Sequence, residues 1–370
     1  MSRYRFELAT PDDDADLRRV LAATPMEGRI SLSFCREPSW FAGAAVDGRL
    51  RQVIACRDLR TGRIIGFGCR SIRDAYVNGR SSVVGYLSNL RLLPEHRGLG
   101  LVARGYAVFR ELHGDGRAPF YLTTIGAGNR TALSVLTSGR AGLPAYHPAG
   151  AYYTFVVPLP RRRKRSAVGK IDVRPATAED LPAVLDFLAT VAAQRQFFPR
   201  LEANDFLSPE GTMRGLSFDK LLLAERGGRL VGTLAGWDQH SYRQTVVCAY
   251  HGRLRALRPL YNAWAWFINR PGLPKPGQAF PYLMGALPAV AADDDNTFAA
   301  LLEDLRRRAA GGPWGYLLIG LHERDPLLRV VQRYQPMCYM THLFLVCWPD
   351  GEEARCAVDG RTPYLEAGSL

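Results

Sequence analysis

The stretch that decides the fold is Val83–Tyr106, with the sequence VVGYLSNLRLLPEHRGLGLVARGY. Its first part is an apolar run rich in β-branched residues, which is typical of a buried strand. Pro94 then opens a short turn, and Gly98 and Gly100 follow in a loop. Apolar periodicity predicts a helix over Leu101–His113. This segment therefore predicts a strand, a glycine-rich loop and a helix in direct succession.

The glycine-rich loop predicts an anion site. The first N–H groups of a helix have no intrahelical partner and lie at the positive end of its dipole, so they suit a phosphate. Gly98 lets a ligand approach the backbone closely, and Arg97 adds a guanidinium beside it. We therefore predict a diphosphate cradle. The donor amides are those of Leu99, Gly100, Leu101 and Val102.

Two other interpretations of this loop stay open. Residues Gly98–Ala103 also fit the dinucleotide fingerprint G-x-G-x-x-A. That fingerprint directly follows the first strand of its unit, whereas here two earlier runs, Arg51–Ala55 and Arg63–Arg73, have strand character. A nicotinamide cofactor is therefore disfavoured. The second alternative is an ordinary strand–helix turn that contains two glycines.

The order strand, P-E-x-R-G-x-G and helix resembles the acetyl-CoA loop of the GNAT superfamily of N-acetyltransferases. The family motif is Q/R-x-x-G-x-G/A, and Arg97–Val102 matches it with Val102 in place of the last small residue. The resemblance implies an α/β fold with a mixed sheet, with acetyl-CoA or another acyl-CoA as co-substrate. It also implies that the pantetheine arm binds along the backbone of Leu90, Arg91 and Leu92.

A second segment extends the resemblance. A strand is predicted over Ala118–Ile125, and Asn129–Leu136 follows it in the manner of the family's N-x-x-A-x-x-x-Y segment. The resemblance assigns Asn129 and Ala132 to the CoA site. Leu136 occupies the tyrosine position, so the family's usual proton donor to the leaving thiolate is absent.

The acid–base groups also depart from the family pattern. Many GNATs place a carboxylate on the strand before the loop, and Asn89, which stands near that position here, cannot act as a base. Tyr86 and Tyr121 are the candidate hydroxyls that replace the missing tyrosine. A core role is the alternative for both, because strand tyrosines are commonly buried.

The acceptor is expected to bind under Gly28–Phe41, which by the resemblance roofs the acceptor cleft. This segment mixes aromatic and charged side chains, which suits an amine with an apolar body. Glu37 is the carboxylate predicted as the base, and a solvated surface pair with Arg36 is the alternative. The candidate acceptor-binding residues are Phe34, Arg36, Trp40 and Asn89.

Composition favours a soluble globular protein of two domains. The chain has 370 residues, 47% of them hydrophobic and 22% charged. No run of about 18 apolar residues is present, and the N-terminus lacks the apolar core of a signal peptide. Seven cysteines without C-x-x-C spacing support neither a disulfide framework nor a zinc site. We therefore predict a cytoplasmic protein without a metal or a transmembrane segment.

The net charge of +13 comes partly from the run Arg161–Arg165. No nucleic-acid-binding motif accompanies this run, so a basic linker is favoured and a nucleic-acid partner is not expected. A basic surface also suits an enzyme that binds polyanionic CoA.

The two halves of the chain resemble each other. Thr10 and Thr177 each follow a short strand and precede acidic residues, as helix N-caps do. Tyr121–Gly126 likewise corresponds to Tyr316–Gly320. The second half is longer, and an insertion is predicted within His240–Gln278. The chain therefore resembles tandem-GNAT proteins, with an N-terminal domain over 1–158, a basic linker over 159–170, a C-terminal domain over 171–350 and a tail over 351–370.

The C-terminal domain is predicted to be degenerate. Asp293–Asp295 replaces the glycine-rich loop, and three carboxylates at a helix entry repel a diphosphate but make good caps. Leu260–Ile268 is apolar and aromatic, and we expect it to pack between the domains. Contact with a membrane or an acyl chain is the alternative.

These features predict a GNAT-type acyltransferase that moves an acyl group from acyl-CoA to a primary amine of a small molecule, peptide or protein. Two alternatives remain. The first is an aminoacyl-tRNA-dependent transferase that resembles the Fem-type enzymes, which also pair two GNAT-like halves. The second is a non-catalytic acyl-CoA-binding sensor that interacts with a protein partner.

Overall fold

Two series of alternating strands and helices follow each other along the chain. The computed structural model describes residues 2–140, 142–162 and 171–370. The first series is β1 (Tyr4–Leu8), α1 (Asp14–Ala23), β2 (Ile30–Cys35), α2 (Trp40–Ala44), β3 (Leu50–Asp58), β4 (Ile64–Val77), β5 (Arg80–Leu92), α3 (Leu101–His113), β6 (Tyr121–Gly126), α4 (Arg130–Leu136) and β7 (Ala145–Pro158).

The second series begins beyond the predicted basic linker, of which residues 163–170 lie outside the described residues. It consists of β8 (Asp172–Pro175), α5 (Leu181–Ala192), β9 (Arg195–Gln196), α6 (Ala203–Leu207), β10 (Leu221–Arg226), β11 (Arg229–Trp237), β12 (Gln244–Tyr250), α7 (Arg253–Phe267), β13 (Tyr282–Val290), α8 (Asp295–Ala309), β14 (Tyr316–His322), α9 (Leu328–Gln332), β15 (Met337–Cys347), α10 (Glu352–Cys356) and β16 (Thr362–Pro363). The insertion predicted within His240–Gln278 holds β12 and α7, where the first half has only the tight turn between β4 and β5.

One mixed sheet of twelve strands joins the two series, which confirms the predicted α/β fold. Its order is β1-β3-β4-β5-β6-β15-β7-β14-β13-β11-β10-β8. Strand β15 of the second half lies between β6 and β7, and β7 of the first half lies between β15 and β14. Each half therefore contributes one strand, β7 or β15, that lies between two strands of the other half. The division at residue 158 into two domains stays a prediction.

Helices cover both faces of the sheet. On one face, α3 packs Tyr106 and Phe109 against Ile54 of β3 and Leu87 of β5. In the second half, α8 buries Phe298 and its neighbours against β11 and β13. Each such fully buried side chain contributes roughly 1.5–3 kcal/mol relative to exposure, and the α3 contacts fix the position of the loop that precedes this helix.

Equivalent caps begin the first helix of each half, as predicted. The backbone N–H of Thr10 donates to Asp13 over 2.9 Å, and that of Thr177 donates to Asp180 over 2.8 Å. Burial acts to raise the pKa of Asp13, but hydrogen bonds from Thr10 and Arg57 outweigh it and the pKa is lowered. A hydrogen bond from Arg174 is the main cause of the lowered pKa of Asp180. Both turns are thus fixed by ionised carboxylates.

The predicted C-terminal tail is part of the folded structure. Strand β16 pairs with β9 in parallel, and Tyr364 and Leu365 are buried. The Tyr152 hydroxyl on β7 donates to the Leu365 carbonyl over 2.8 Å. The tail therefore packs against β7, one of the two exchanged strands.

The aromatic segment Leu260–Ile268 does not pack between the halves, and that prediction was wrong. Leu260 is 68% exposed, Trp264 50% and Phe267 78%. The segment forms the second part of α7, which buries only Ala265 of its own residues. No helix in the described part of the chain is both long enough and apolar enough to cross a membrane.

Candidate functional site

The first half opens its sheet between β5 and β6. These parallel strands are in register only at Gly85 with Tyr121 and Tyr86 with Leu122, and then they separate. One side-chain bond spans the start of the gap, from the Thr123 hydroxyl to the Leu87 carbonyl over 2.8 Å. Beyond this point no described strand pairs with the edge of β5 that faces β6. This is the stretch in which the sequence predicts pantetheine contacts at Leu90, Arg91 and Leu92.

A β-bulge lies in β5 where the strands separate. Asn89 has a φ angle of 52°, and neither Asn89 nor Leu90 has a partner in the register with β4. Asparagine tolerates this left-handed conformation better than most residues. The Asn89 amide donates to the Ser88 hydroxyl over 3.3 Å. Asn89 thus shapes the backbone of the opening, and its side chain has no proton-accepting group suited to catalysis.

The glycine-rich loop is open. Gly98 and Gly100 have φ angles of 79° and 67°, and a side chain added at either would meet no atom within 4 Å. The amides of Gly98, Leu99 and Gly100 donate to no acceptor in the described chain. Helix α3 begins at Leu101 as predicted, so its first amides have no intrahelical acceptor either. A row of free donors therefore lies at the positive end of a 13-residue helix.

The turn before the loop is held by β1 and β4. The Leu93 amide donates to the Ile65 carbonyl over 2.9 Å, and the Tyr4 hydroxyl lies 3.1 Å from Nδ1 of His96. Arg97 donates from Nε to the Leu92 carbonyl over 3.3 Å, and its side chain is exposed. These contacts fix the start of the loop and α3 fixes its end, while the amides between them have no acceptor in the described chain, an arrangement that fits a diphosphate.

The segment after β6 caps its own helix. The Asn129 side-chain oxygen accepts a hydrogen bond from the Ala132 amide over 3.1 Å at the start of α4. Leu136, where the resemblance in sequence expects a tyrosine, is buried in the core beneath α3 and α4. The structure thus gives α4 a defined start, and it offers no hydroxyl at residue 136.

A tyrosine that the sequence analysis did not single out lies at the opening. Tyr339 is on β15, and its hydroxyl occupies the space beside Gly126, at the end of β6. It has no hydrogen-bond partner in the described chain. Burial raises the pKa of Tyr339, and the charge of Arg91 offsets this only in part. Only the exchange of strands brings this hydroxyl to the first half, so no local sequence pattern could have found it.

Tyr121 is not available for catalysis, contrary to the prediction. Its ring is fully buried, and its hydroxyl accepts from Nε of Arg70 over 2.9 Å and lies 3.0 Å from Nδ1 of His113. Tyr86 lies on the opposite face, with its hydroxyl 3.0 Å from that of Thr124 and its ring under the Arg73 guanidinium. Burial raises the pKa of Tyr86. Tyr121 therefore supports the core. Tyr86 is also buried, at 3% exposure, and stays a candidate only because its hydroxyl forms no hydrogen bond to a charged group in the described chain, in contrast to that of Tyr121.

Two of the predicted acceptor residues are buried, which corrects their assignment. Trp40 is 0% exposed and packs edge-on against Phe67. Arg36 is 5% exposed, pairs with Asp47 over 2.9 Å and lies 4.3 Å from the Trp40 ring centre. A buried carboxylate requires such a partner, so Arg36 serves the interior. Phe34 is half-buried, 5.9 Å from the guanidinium of Arg91, and stays a candidate.

Glu37, the predicted base, lies at the corner between β2 and α2. Its carboxylate pairs with Arg18 of α1, and its backbone exchanges hydrogen bonds with the Gln244 side chain. The side chain is 55% exposed. None of its hydrogen bonds or ion pairs in the described chain joins it to a group around the opening between β5 and β6.

Each half contributes one strand to the roof, which is the two-stranded sheet formed by β2 and β12. Strand β12 of the second half pairs with β2, which carries Phe34. Asp47 lies beneath it and binds Arg36 and Arg243, while Arg73 donates to the Asp47 carbonyl over 2.6 Å. The charge of these arginines is the main influence that lowers the pKa of Asp47 against the effect of its burial. The ion cluster therefore fixes the roof on the sheet.

The equivalent opening in the second half is filled. Strands β13 and β14 are in register from Tyr282 to Gly285 and then separate. The carboxylate of Glu366 in the tail accepts from the Leu287 amide over 3.0 Å, and Ala367 packs against Gly320. Burial raises the pKa of Glu366. The tail thus occupies the space that is free in the first half.

The entry to α8 also differs from that to α3. Asp294 caps the helix through the Asn296 amide and the Thr297 hydroxyl, as predicted. Asp293 and Asp295 do not cap it, contrary to the prediction. Asp293 instead pairs with Arg195, and Asp295 pairs with Arg329 over 2.7 Å. Carboxylates of the chain itself therefore occupy this helix end.

One group of metal-ligand side chains lies elsewhere, at the end of β15. His147, Cys347 and Glu352 bring their ligand atoms within 4.8 Å of one another. Arg355 already pairs with the Glu352 carboxylate and lowers its pKa to about 2, while burial raises the pKa of Cys347 to about 12. A protonated thiol and a paired carboxylate are poor ligands, and we assign no metal to this group.

Comparison with known proteins identifies the fold. No protein-family model and no curated protein matches the sequence. A crystal structure of a GCN5-related N-acetyltransferase from Sphaerobacter thermophilus matches 100% of this chain and 99% of its own, with a TM-score of 0.55 and 13% identity. A glucosamine N-acetyltransferase region of a fungal multi-domain β-N-acetylglucosaminidase matches 93% of this chain and 38% of its own, with a TM-score of 0.59 and 12% identity.

The N-myristoyltransferase of Saccharomyces cerevisiae with bound myristoyl-CoA is also similar. It matches 94% of this chain and 79% of its own, with a TM-score of 0.60 and 11% identity. At such low identities these similarities describe architecture rather than activity. The chain therefore has the fold shared by GCN5-related N-acetyltransferases and N-myristoyltransferases.

Proposed function

We propose that the protein is an acyl-CoA-dependent N-acyltransferase whose reaction site lies in the first half, residues 1–158. The observation that carries this proposal is the open loop at the start of α3. Its amides have no acceptor in the described chain, and the unpaired edge of β5 lies directly before it. The fold it shares with enzymes of this class supports the same proposal.

The co-substrate would be held by backbone groups. The amides at the start of α3 would bind the diphosphate, with the Arg97 guanidinium beside them. The edge of β5 at Leu90–Leu92 would bind the amide groups of the pantetheine arm, with Asn129 and Ala132 across the opening. The thioester supplies an activated acyl group that a neutral amine can attack directly.

The chain contributes chiefly by placing two reactants together and by stabilising charge on the thioester oxygen. We assign the second role to the backbone N–H near Leu90, since the bulge at Asn89 leaves this segment without a register partner on β4 or β6. Phe34 and the roof formed by β2 and β12 would contact the body of the amine.

We assign protonation of the leaving thiolate to Tyr339. In a strand, alternate residues share a face, and Leu343 of β15 packs with Tyr86 and Leu122. Tyr339 therefore lies on the same face as Tyr86, where an amine would enter. A tyrosine hydroxyl is protonated at neutral pH, as a proton donor requires, and the raised pKa of Tyr339 leaves this unchanged.

Glu37 stays the proposed proton acceptor for the amine, although its carboxylate pairs with Arg18 and would have to leave that pair to reach the opening between β5 and β6. It is the one carboxylate among the predicted site residues, and its side chain reaches solvent beside the roof. The matched variants Glu37→Gln and Glu37→Asp test this role. Gln keeps the size but cannot accept a proton, so a loss of rate in Gln that Asp restores would identify the base.

The function is tested by mixing the protein with acyl-CoAs of different chain length and a panel of amines, with released thiol as the readout. We expect turnover that requires both substrates and is lost in the double variant Arg97→Glu, Gly100→Asp. CoA binding without turnover of any amine would favour the sensor. Salt-sensitive tRNA binding without CoA binding would favour the Fem-like transferase.

A further inference from the structure

The outward face of α7 is apolar. Leu257, Leu260, Trp264 and Phe267 recur at helical spacing along one stripe and are 49%, 68%, 50% and 78% exposed. Ile268, at the end of the helix, is 41% exposed. A surface helix ordinarily exposes its polar residues to water and buries its apolar ones. Helix α7 instead exposes its apolar stripe.

The inward face of α7 explains why the helix is held in this orientation. Asn262 exchanges two hydrogen bonds with the backbone of Leu273, of 3.0 and 2.8 Å. Arg258 donates to the carbonyls of Leu273 and Pro274 and lies over the ring of Tyr250. Ala265 is fully buried. The polar and small residues thus anchor the helix, and rotating it to bury the stripe would break all of these contacts.

Basic residues lie at both ends of the stripe. Arg253 and Arg255 are exposed in the first turn of α7. At the other end, the backbone amides of Arg161 and Arg162 donate to Asn269. None of these four arginines pairs with an acidic side chain in the described chain. The sequence has no aspartate or glutamate between Asp238 and Asp293, so no carboxylate of the insertion offsets their charge.

We propose that α7 docks this protein on the surface of an anionic lipid bilayer. Tryptophan, phenylalanine and leucine suit the boundary between headgroups and acyl chains, and arginines at both ends suit lipid phosphates. The 15-residue helix is about 22 Å long at 1.5 Å per residue, which fits a position in the plane of the surface.

The charge pattern favours a lipid surface over a second copy of the chain. In a two-fold symmetric pairing through this stripe, the arginines at its ends would approach those of the partner copy. Like charges opposed in this way disfavour association. An anionic bilayer offers an apolar layer in which the stripe can be buried, and negatively charged headgroups that attract the arginines. The proposal does not depend on acyl transfer by the first half.

The test is co-sedimentation of the full chain with phosphatidylcholine vesicles that contain or lack phosphatidylglycerol. We expect binding to the anionic vesicles and at least about tenfold weaker binding of Trp264→Ser, Phe267→Ser, since two large apolar side chains leave the interface. Arg253→Gln, Arg255→Gln is expected to weaken binding by about fivefold per arginine. Leu207→Ser, at a leucine that is 63% exposed on α6, is the matched control and should bind as the unchanged protein does.

Three outcomes would overturn the proposal. The first is the absence of sedimentation with anionic vesicles, and the second is equal binding to both kinds of vesicle. The third is a dimer in sedimentation-velocity experiments that the Trp264→Ser, Phe267→Ser variant abolishes, with no vesicle binding, since this would assign the stripe to a second copy. Circular dichroism spectra and thiol release measured in parallel separate loss of docking from unfolding and from failure of the proposed acyl transfer.

Discussion

Asn89 in β5 and Leu287 in β13 occupy equivalent places in the two halves, with φ angles of 52° and 51°. Each lies where a central strand parts from its parallel neighbour. In the first half the space beyond is open, whereas in the second half Glu366 binds the Leu287 amide. The same backbone irregularity therefore accompanies a free cleft in one half and a filled one in the other.

The helices that follow these strands also differ, because the first donors of α3 are free and those of α8 meet side chains of the described chain. The loop before α3 has glycines in left-handed conformations and no carboxylate, while α8 begins at Asp295 directly after Asp293 and Asp294, of which Asp294 caps it. Both helices have a positive end. The difference fits the proposal, because a helix N-terminus can bind an anion only where the chain does not satisfy the helix's first donors itself.

The largest effect is expected from Gly100→Asp. The substitution places a side chain at a φ of 67° and a negative charge among the proposed diphosphate donors. We expect affinity for acyl-CoA to fall by at least about 100-fold, measured by calorimetry. Gly228→Asp, in the turn between β10 and β11, has a φ of 74° and equally open surroundings and is the control. Equal losses in both variants would show that backbone strain, and not the site, is responsible.

A smaller effect is expected from Tyr339→Phe. Removing the proposed proton donor should lower kcat by about 10- to 100-fold with little change in KM for acyl-CoA, because the hydroxyl acts only in the transition state. Tyr76→Phe removes another half-buried hydroxyl, on β4, and should leave both constants unchanged. An equal loss of activity in the two variants, or a change in KM alone, would remove the assignment of Tyr339.

Asp294→Ala tests the other side of the comparison. Loss of the α8 cap should lower the free energy of unfolding by about 1 kcal/mol, measured by denaturant titration. Affinity for acyl-CoA should not change, since α8 belongs to the filled half. A change in affinity would indicate that the second half contributes to the site.

The smallest effect is the pH dependence of the same cap. The Thr297 hydroxyl, followed by Arg226, lowers the pKa of Asp294 below its ordinary value of 3.8. A depressed pKa contributes stability that is present above the ordinary value and is lost as the pH falls through the folded-state value. The stability difference between the unchanged protein and Asp294→Ala should therefore persist at pH 7 and shrink below pH 3.8. A difference that grows on acidification would contradict this origin.

Local sequence patterns predicted the elements that depend on local interactions. The strand, loop and helix around Gly98 follow from hydrophobic periodicity and turn residues, and α3 has the predicted bounds. The caps at Thr10 and Thr177 also follow from side chains a few residues apart. Such features require no knowledge of which segments meet in space.

The features that sequence reasoning missed depend on long-range pairing. The exchange of β7 and β15 brings Tyr339 to the first half, and no spacing within the chain records it. Trp40 and Arg36 have amphipathic side chains that suit either a cleft or the interior, and the buried Asp47 decides between these outcomes. The outward face of α7 depends on Asn262 and the loop that it binds.

The central claim is that the chain has a single acyl-CoA site, in the half whose donors are free. Calorimetric titration of acetyl-CoA and a longer acyl-CoA into the protein measures this directly through the stoichiometry. We expect one molecule bound per chain, and none in Arg97→Glu, Gly100→Asp, while Asp294→Ala keeps the full stoichiometry. Two molecules per chain, or binding that survives in the double variant, would contradict this account.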